Sequence, residues 1–250
     1  MGGSPRVFFT VAAATDDEER KLLPFLLAHA LRLGIAAKRF VVVLHAPEPT
    51  SAADNYGAMA ALVEDVGAPG HVKWTSAYSG AAKEAVRRRV AFAAFRARGD
   101  LKDGDWVVHA DSDEFVVFDE PLGRALARAA THGFVVGAWT DRVATGGALA
   151  PVPPPPFVPP RDGAAALFAA FPLNCAFRRK PKVVAYRIPL RVTDGAHDLA
   201  PTSKRLVRGG PERTPNATAT VFHQGRKRVT QRRFDLGVLE ATPNKKASTL

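Results

Sequence analysis

The sequence predicts one α/β domain built on a mixed, mostly parallel sheet flanked by helices. Three observations carry this expectation. Continuously apolar runs of strand length, over 7–14, 39–46 and 106–110, alternate with helix-length amphipathic segments, the pattern of strands covered on both faces. At 250 residues and 46% hydrophobic content, the chain is long enough to bury a large core. Its single cysteine, Cys175, excludes an internal disulfide framework and a cysteine-built zinc site, so packing must hold the fold.

The elements follow in order. After the first apolar run, Thr15-Asp16-Asp17-Glu18 has the Thr-x-x-Glu spacing of a capping box, which starts a helix. Leu22, Leu23, Phe25, Leu26, Leu27, Ala30, Leu31 and Leu33 give that helix a broad apolar face, and Gly34 stops it. The run at 39–46 is the second strand and closes a β-α-β unit. A shorter helix over 58–66, a third strand over 71–77 and a long basic helix over 80–98 come next. In the long helix Val86, Val90, Phe92, Ala93 and Phe95 are expected to face the sheet, with Arg87, Arg88, Arg96 and Arg98 in water. The fourth strand ends in acids. A helix over 122–131, a strand over 134–144, a proline-rich excursion at 151–160, strands over 182–192 and 217–223 and a basic helical tail over 227–240 complete a single domain, 1–250, whose core spans about 7–234.

The formal charge of +11 and pI of about 10.2 imply attraction to phosphates, polyanions or anionic surfaces, and composition does not choose among them. No run reaches the ~18 apolar residues of a membrane span, and the first ten residues lack signal-peptide architecture. The expectation is a soluble chain, either cytoplasmic or the lumenal catalytic part of a Golgi protein cut from its anchor. No recognisable nucleic-acid module is present, so no specific nucleic-acid partner is expected.

The chemistry is concentrated at Trp106-Val-Val-His-Ala-Asp-Ser-Asp-Glu-Phe115, where Asp111, Asp113 and Glu114 place three carboxylates within four residues at the end of an apolar strand. On an extended chain rising about 3.3 Å per residue, Asp111 and Asp113 share a side roughly 6.6 Å apart. They repel there by about 2.5 kcal/mol at an effective dielectric of 20. A divalent cation reverses that sign. Mg2+ and Mn2+ prefer oxygen ligands, and Mg2+ commonly takes one or two carboxylates with the rest of its shell from water and substrate phosphates. In an open α/β sheet the carboxyl ends of the strands are also where ligands bind.

That run closely resembles the acidic signature of glycosyltransferases of the GT-A fold, in particular the family 2-like and family 92-like group with its DxDEF. The resemblance extends to Glu19-Arg-Lys-Leu-Leu-Pro-Phe-Leu-Leu-Ala-His29 with Leu33-Gly34, to Trp139-Thr-Asp141-Arg142 with Gly146-Gly147, and to Phe171-Pro172, Gly195-Ala-His197 and Val221-Phe-His223. It implies transfer of a sugar from a nucleotide-diphosphate donor, a UDP-sugar first, to a hydroxyl of a carbohydrate or glycoconjugate acceptor, with Mn2+ or Mg2+. Asp113 would ligate the metal directly, Asp111 would bind the ribose, the metal or a metal-bound water, and His223 would approach the same ion. Where the group often has Lys-Asn-Glu-like residues, this chain has Ala13-Ala14-Thr15-Asp16-Asp17-Glu18, so the implied nucleotide contacts at Ala12, Thr15 and Asp16 follow position rather than identity. Arg226, beside Lys227 and Arg228, would neutralise the diphosphate. If the reaction inverts, Asp141 or Glu114 would take the acceptor proton. Two other readings compete: a non-catalytic basic protein that binds acidic polysaccharide or nucleic acid, and a phosphatase of the haloacid dehalogenase type. The second also joins an apolar strand to Asp-x-Asp, but expects Thr or Val where this chain has Phe115.

Overall fold

Alternation along β1 (Val7–Ala14) divides the core. Val7, Phe9, Val11 and Ala13 enter one hydrophobic cluster, and Phe8 and Ala12 enter a second on the opposite face. β2 (Phe40–His45) does the same, Phe40, Val42 and Leu44 on one face and Val41 and Val43 on the other, as the period of two in a strand requires. The computed structural model describes residues 6–47, 53–97, 99–143, 167, 169, 173–175, 181–193, 196, 198–204 and 218–224. At 53–54, 90–91, 139–143, 173–175 and 218–224 it describes the backbone path. The expectations for the proline-rich segment 151–160 and the tail 227–240 lie outside the described residues.

β1 pairs in parallel with β2 and with β4 (Trp106–Asp111), and β2 in parallel with β3 (His71–Trp74). Beyond β4 the directions mix. β8 (Lys182–Arg187) runs antiparallel to β4 and to β6 (Phe134–Val143). β9 (Thr218–Gln224) is parallel to β6 and antiparallel to β5 (Glu114–Phe118), and β7 (Leu173–Cys175) is antiparallel to β6. The order is β3-β2-β1-β4-β8-β6-β9-β5, with β7 on β6. This is a mixed α/β, Rossmann-like architecture, as the alternation of elements implied.

Residues 112 and 113 alone separate β4 from β5, yet β8, β6 and β9 lie between them in the sheet. Laid flat at about 4.8 Å per strand, β4 and β5 would be roughly 19 Å apart, while three Cα steps reach at most about 11 Å. The sheet therefore curls until β5 returns beside the tip of β4. Phe115 and Val116 join the same core cluster as the first helix.

That helix, α1 (Asp17–Arg32), starts one residue later than the Thr15–Glu18 box suggested: Asp16 is its N-cap and accepts from the Glu19 backbone N–H at 2.7 Å. Thr15 is occupied elsewhere, its hydroxyl and backbone N–H both donating to the His45 carbonyl at 3.1 and 2.9 Å. Leu22, Leu23, Phe25, Leu26, Leu27 and Ala30 are buried as expected, whereas Leu31 is exposed. α2 (Ala53–Asp65) packs beside α1. α3 (Gly80–Val86) continues through a π-helical segment, Arg87–Phe92, into α4 (Ala93–Ala97). The extra residue per turn shifts the faces: Phe92 and Phe95 are buried as expected, but Ala93 is exposed, and Arg87, expected in water, is completely buried. α5 (Leu122–Arg128) precedes β6. Among the described residues no helix is long and apolar enough to cross a membrane.

His29 Nε2 lies 2.8 Å from the Val116 carbonyl and ties α1 to β5. Burial lowers the imidazole pKa, the bond to Val116 opposes that and Arg32 adds to it, with a net lowering from 6.5. The neutral ring belongs to the folded state, so its contribution is complete above pH 6.5 and is lost as pH falls through the folded-state value. We expect the urea midpoint to drop between pH 7.5 and 5.5 and His29→Gln to flatten that slope. His109, which burial and then Arg87 hold well below 6.5, adds a slope of the same sign. A slope unchanged by His29→Gln would refute the assignment.

Candidate functional site

The helix-facing side of β4 determines the site. Trp106, Val108 and Ala110 point into the α1 side of the core, so Val107, His109 and Asp111 point to the opposite face, against the helix that carries Lys83 and Arg87. Asp111 Oδ1 accepts from Lys83 Nζ at 2.7 Å, and Oδ2 accepts from Lys182 Nζ, at the start of β8, at 3.1 Å. Arg87 Nη2 stands 4.0 Å from Asp111 Oδ1. The Arg87 guanidinium is oriented by Glu84 Oε1 at 2.7 Å, and its Nη1 lies 2.8–2.9 Å from the ring nitrogens of His109. Among the described residues its Nε and Nη2 have no hydrogen-bond partner.

Asp111 ends β4, Ser112 and Asp113 turn, and Glu114 opens β5. This corrects the extended geometry expected for Asp111 and Asp113, because the curl of the sheet demands a turn there. The expected bare repulsion is also corrected, since ammonium groups already meet the Asp111 charge. Burial alone would raise the Asp111 pKa, but Lys182 and Lys83 outweigh it and hold the carboxyl well below the usual range. Glu114 Oε2 accepts from the Asp111 backbone N–H at 3.1 Å and contacts Lys182 Nζ. Burial pushes the Glu114 pKa up, Lys182 pulls it down, and the neighbouring Asp111 and Asp113 tip the balance upward. With the side chain at 2% exposure and bonded both to the backbone of the motif and to Lys182 on β8, Glu114 acts as a brace for the motif. Ser112 donates to Glu19 Oε2 at 2.5 Å, and the same oxygen accepts from the Ala14 backbone N–H at 2.6 Å. The motif turn is thus fastened to the end of β1 and the start of α1.

The other sequence-derived candidates fall around this edge. Ala12 is the register partner of Asp111 on β1. Thr15 and Asp16 join β1 to α1 through the bonds described above. Glu114 pairs in register with His223 on β9, and His223 with Asp141 on β6, so the backbone brings these three into one row. Arg226 lies outside the described residues, as do Gly146, Gly147, Phe171, Pro172, Gly195 and His197.

Several residues of the site escaped the sequence reading. Lys83 and Glu84 belong to no motif on a basic helix, the apolar positions of that helix send Arg87 to solvent, and Lys182 reads as the opening residue of a strand. One signal was present: Lys83 and Arg87 are four apart, one helical turn, on a helix facing the acidic strand. An aromatic cluster was also missed. His45 and Trp74, at the ends of β2 and β3, have ring centroids 4.1 Å apart, and Tyr78 lies 5.7 and 5.8 Å from them with 63% of its surface exposed. His45 Nε2 is 3.0 Å from the Ser76 carbonyl. Register places His45 opposite Ala14, and Ala12 opposite Asp111. Two strand spacings and two residue rises therefore put the aromatic cluster about 12 Å from Asp111 along the same edge.

No protein-family model matches the chain, and no curated protein matches it. Among solved structures it is similar to one titled "Crystal structure of 4-diphosphocytidyl-2C-methyl-D-erythritol synthase", with 16% identity, a TM-score of 0.37, and coverage of 96% of this chain and 99% of that one. It is also similar to one titled "Crystal Structure of a Mycobacterial Protein", with 14% identity, a TM-score of 0.41, and coverage of 94% of this chain and 72% of that one.

Proposed function

We propose that the protein is a GT-A-like glycosyltransferase that moves a sugar from a nucleotide-diphosphate donor to a hydroxyl acceptor. The observation that carries this reading is the Asp111-Ser112-Asp113 turn at the carboxyl edge of the parallel strands, braced by Glu114 and Glu19 and backed by Lys83, Arg87 and Lys182. In this reading the exposed Tyr78 ring, backed by Trp74 and His45, stacks the nucleobase. Ala12, Thr15 and Asp16 line the nucleoside beside it, Asp111 faces the ribose, and the diphosphate lies over the motif, with Arg226 neutralising it.

The donor set suits a divalent cation held mostly by its substrate. Asp111 is committed to two ammonium groups, and among the described residues no three of His, Cys, Asp and Glu cluster as a cage. Asp113 would supply the direct protein oxygen, Asp111 would act through water, and His223 would complete the set. Mg2+ or Mn2+ bound there stabilises the charge growing on the leaving diphosphate. Lys83 and Lys182 hold Asp111 ionised and fixed in the ground state, which spares the site reorganisation during transfer. Asp141, one strand from His223 in register, takes the acceptor proton if the anomeric carbon inverts.

A screen of nucleotide sugars, UDP-sugars first, with Mn2+, Mg2+ or EDTA and release of nucleoside diphosphate as readout, tests the proposal. Metal-stimulated release supports it. Phosphate release from a simple phosphomonoester instead would establish phosphatase chemistry, and saccharide binding without turnover would establish a non-catalytic binding protein. The two lysines on Asp111 favour a second reading, in which ammonium groups alone stabilise the leaving diphosphate; turnover that is insensitive to EDTA selects it. For either route, Tyr78→Ala is expected to raise the donor KM about tenfold with kcat little changed, because base–aromatic stacking is worth roughly 1–3 kcal/mol. An unchanged KM would remove Tyr78 from the nucleoside subsite.

A further inference from the structure

A cavity of about 550 Å³ opens at the opposite end of β4, lined by ten residues that include Arg88, Arg89, Arg96, Arg191, Phe92 and Tyr186. Its position follows from topology. β8 is antiparallel to β4, so the chain leaving β8 arrives at the amino end of β4. The Gly104 backbone N–H donates to the Ile188 carbonyl at 2.9 Å, and the Ile188 N–H to the Asp105 carbonyl at 2.8 Å, which fixes that junction. Asp111 is at the far end of the same strand, about 17 Å away at 3.3 Å per residue. The cavity is therefore separate from the proposed transferase site.

Ligand cavities are usually apolar with a few polar groups, and this one departs from that in a single direction. Four of its ten lining residues are arginines, set against the lone carboxylate of Asp103. Arg96 is paired with Asp103 at 2.7 Å, and Arg88 Nε donates to the Glu84 carbonyl at 3.2 Å. The side chains of Arg89 and Arg191, both exposed, have no ion pair among the described residues. Phe92 and Tyr186, 6% and 2% exposed, are the aromatic part of the lining. Arginines and aromatic side chains lining one cavity suit an oxyanion ester carried on a ring: the guanidinium fork of N–H donors fits phosphate or sulfate oxygens, and aromatic rings pack against the ring.

We propose that this cavity is a second binding site, for a multiply charged phosphate or sulfate ester of a small molecule or saccharide, with Arg89 and Arg191 as its principal contacts and Arg88 supporting them.

The test is calorimetric titration of the 250-residue chain at 0.15 M ionic strength with inorganic pyrophosphate and, separately, with a sulfated disaccharide, for wild type and for R89A/R191A. Both side chains are exposed, so the double variant is expected to keep the wild-type melting temperature. We expect at least one of the two probes to bind and its affinity to fall at least tenfold in the double variant. The tighter probe identifies the ester as phosphate or sulfate. Asp113→Ala should bind that probe at the cavity as the wild type does. Affinities equal in wild type and double variant would overturn the proposal, as would binding of neither probe. Binding confined to a duplex oligonucleotide would overturn it in favour of a nucleic-acid surface.

Discussion

Asp113→Ala is expected to lower nucleotide-sugar turnover by at least about a hundredfold while the protein still melts in one cooperative transition. The two halves of this expectation have different origins. On the proposed function, loss of the Asp113 oxygen would cost metal affinity and the charge stabilisation delivered to the leaving group, each typically tens-fold or more. Folding should survive because the turn keeps the bonds made by its neighbours: Ser112 to Glu19, Glu114 to the Asp111 backbone N–H, and Asp111 to Lys83 and Lys182. Asp113→Asn keeps the volume and removes the charge, so it should track Asp113→Ala in activity and the wild type in melting temperature. Turnover within about threefold of wild type in both variants would remove Asp113 from the chemistry, whereas broad, non-cooperative melting would make the residue part of the scaffold. Cell-free measurement across Mn2+ concentrations sharpens the test, because a lost metal ligand moves the half-saturating metal concentration upward before it lowers the plateau.

The features of the fold that could be read in the sequence were those with a period. β1, β2 and β4 are buried on both faces, so their apolar runs are continuous and unambiguous, and the α1 stripe from Leu22 to Ala30 has helical spacing. The acids at the end of β4 were legible as well, since negative charge at the end of such a strand demands compensation. The source of that compensation was not legible. Lys83 and Arg87 belong to a basic helix, and carrying the phase of Phe92 and Phe95 back at 3.6 residues per turn, across the π segment at Arg87–Phe92, sends Arg87 to water. Lys182 precedes Val183 and Val184 just as an exposed strand-opening lysine would, and only the antiparallel return of β8 alongside β4 turns it towards Asp111 and Glu114. β5 was hidden because Phe115 to Phe118 follow the motif so closely that they read as its tail, and the curl that makes room for them is a property of the whole sheet. Tyr78, between β3 and α3, carries no periodic signal at all; its partners His45 and Trp74 come from the ends of β2 and β3.

Lys182→Met should destabilise the protein more than any other single change at the site, by about 3–5 kcal/mol, the usual cost of leaving a buried charge without its partner. Lys182 is 1% exposed and touches both Asp111 and Glu114. Burial would lower its pKa, yet Glu114 and Asp111 raise it above 10.5. Its contribution is therefore complete at neutral pH and is lost only as pH climbs through the raised folded-state value. Methionine fills the same space without charge, so the loss is electrostatic rather than a cavity effect. Two carboxylates then face each other across the turn, and Glu114, whose pKa is already raised, can relieve the repulsion by taking up a proton. The deficit of Lys182→Met relative to wild type should accordingly be smaller at pH 5 than at pH 8, as measured by urea unfolding. Adding Glu114→Gln should recover most of it at pH 8, because a neutral amide leaves only Asp111 charged, still paired with Lys83 at 2.7 Å. A deficit below about 1 kcal/mol, or a double variant no more stable than the single, would mean that the ammonium group is solvated by water in the folded state and that Asp111 is held by Lys83 alone.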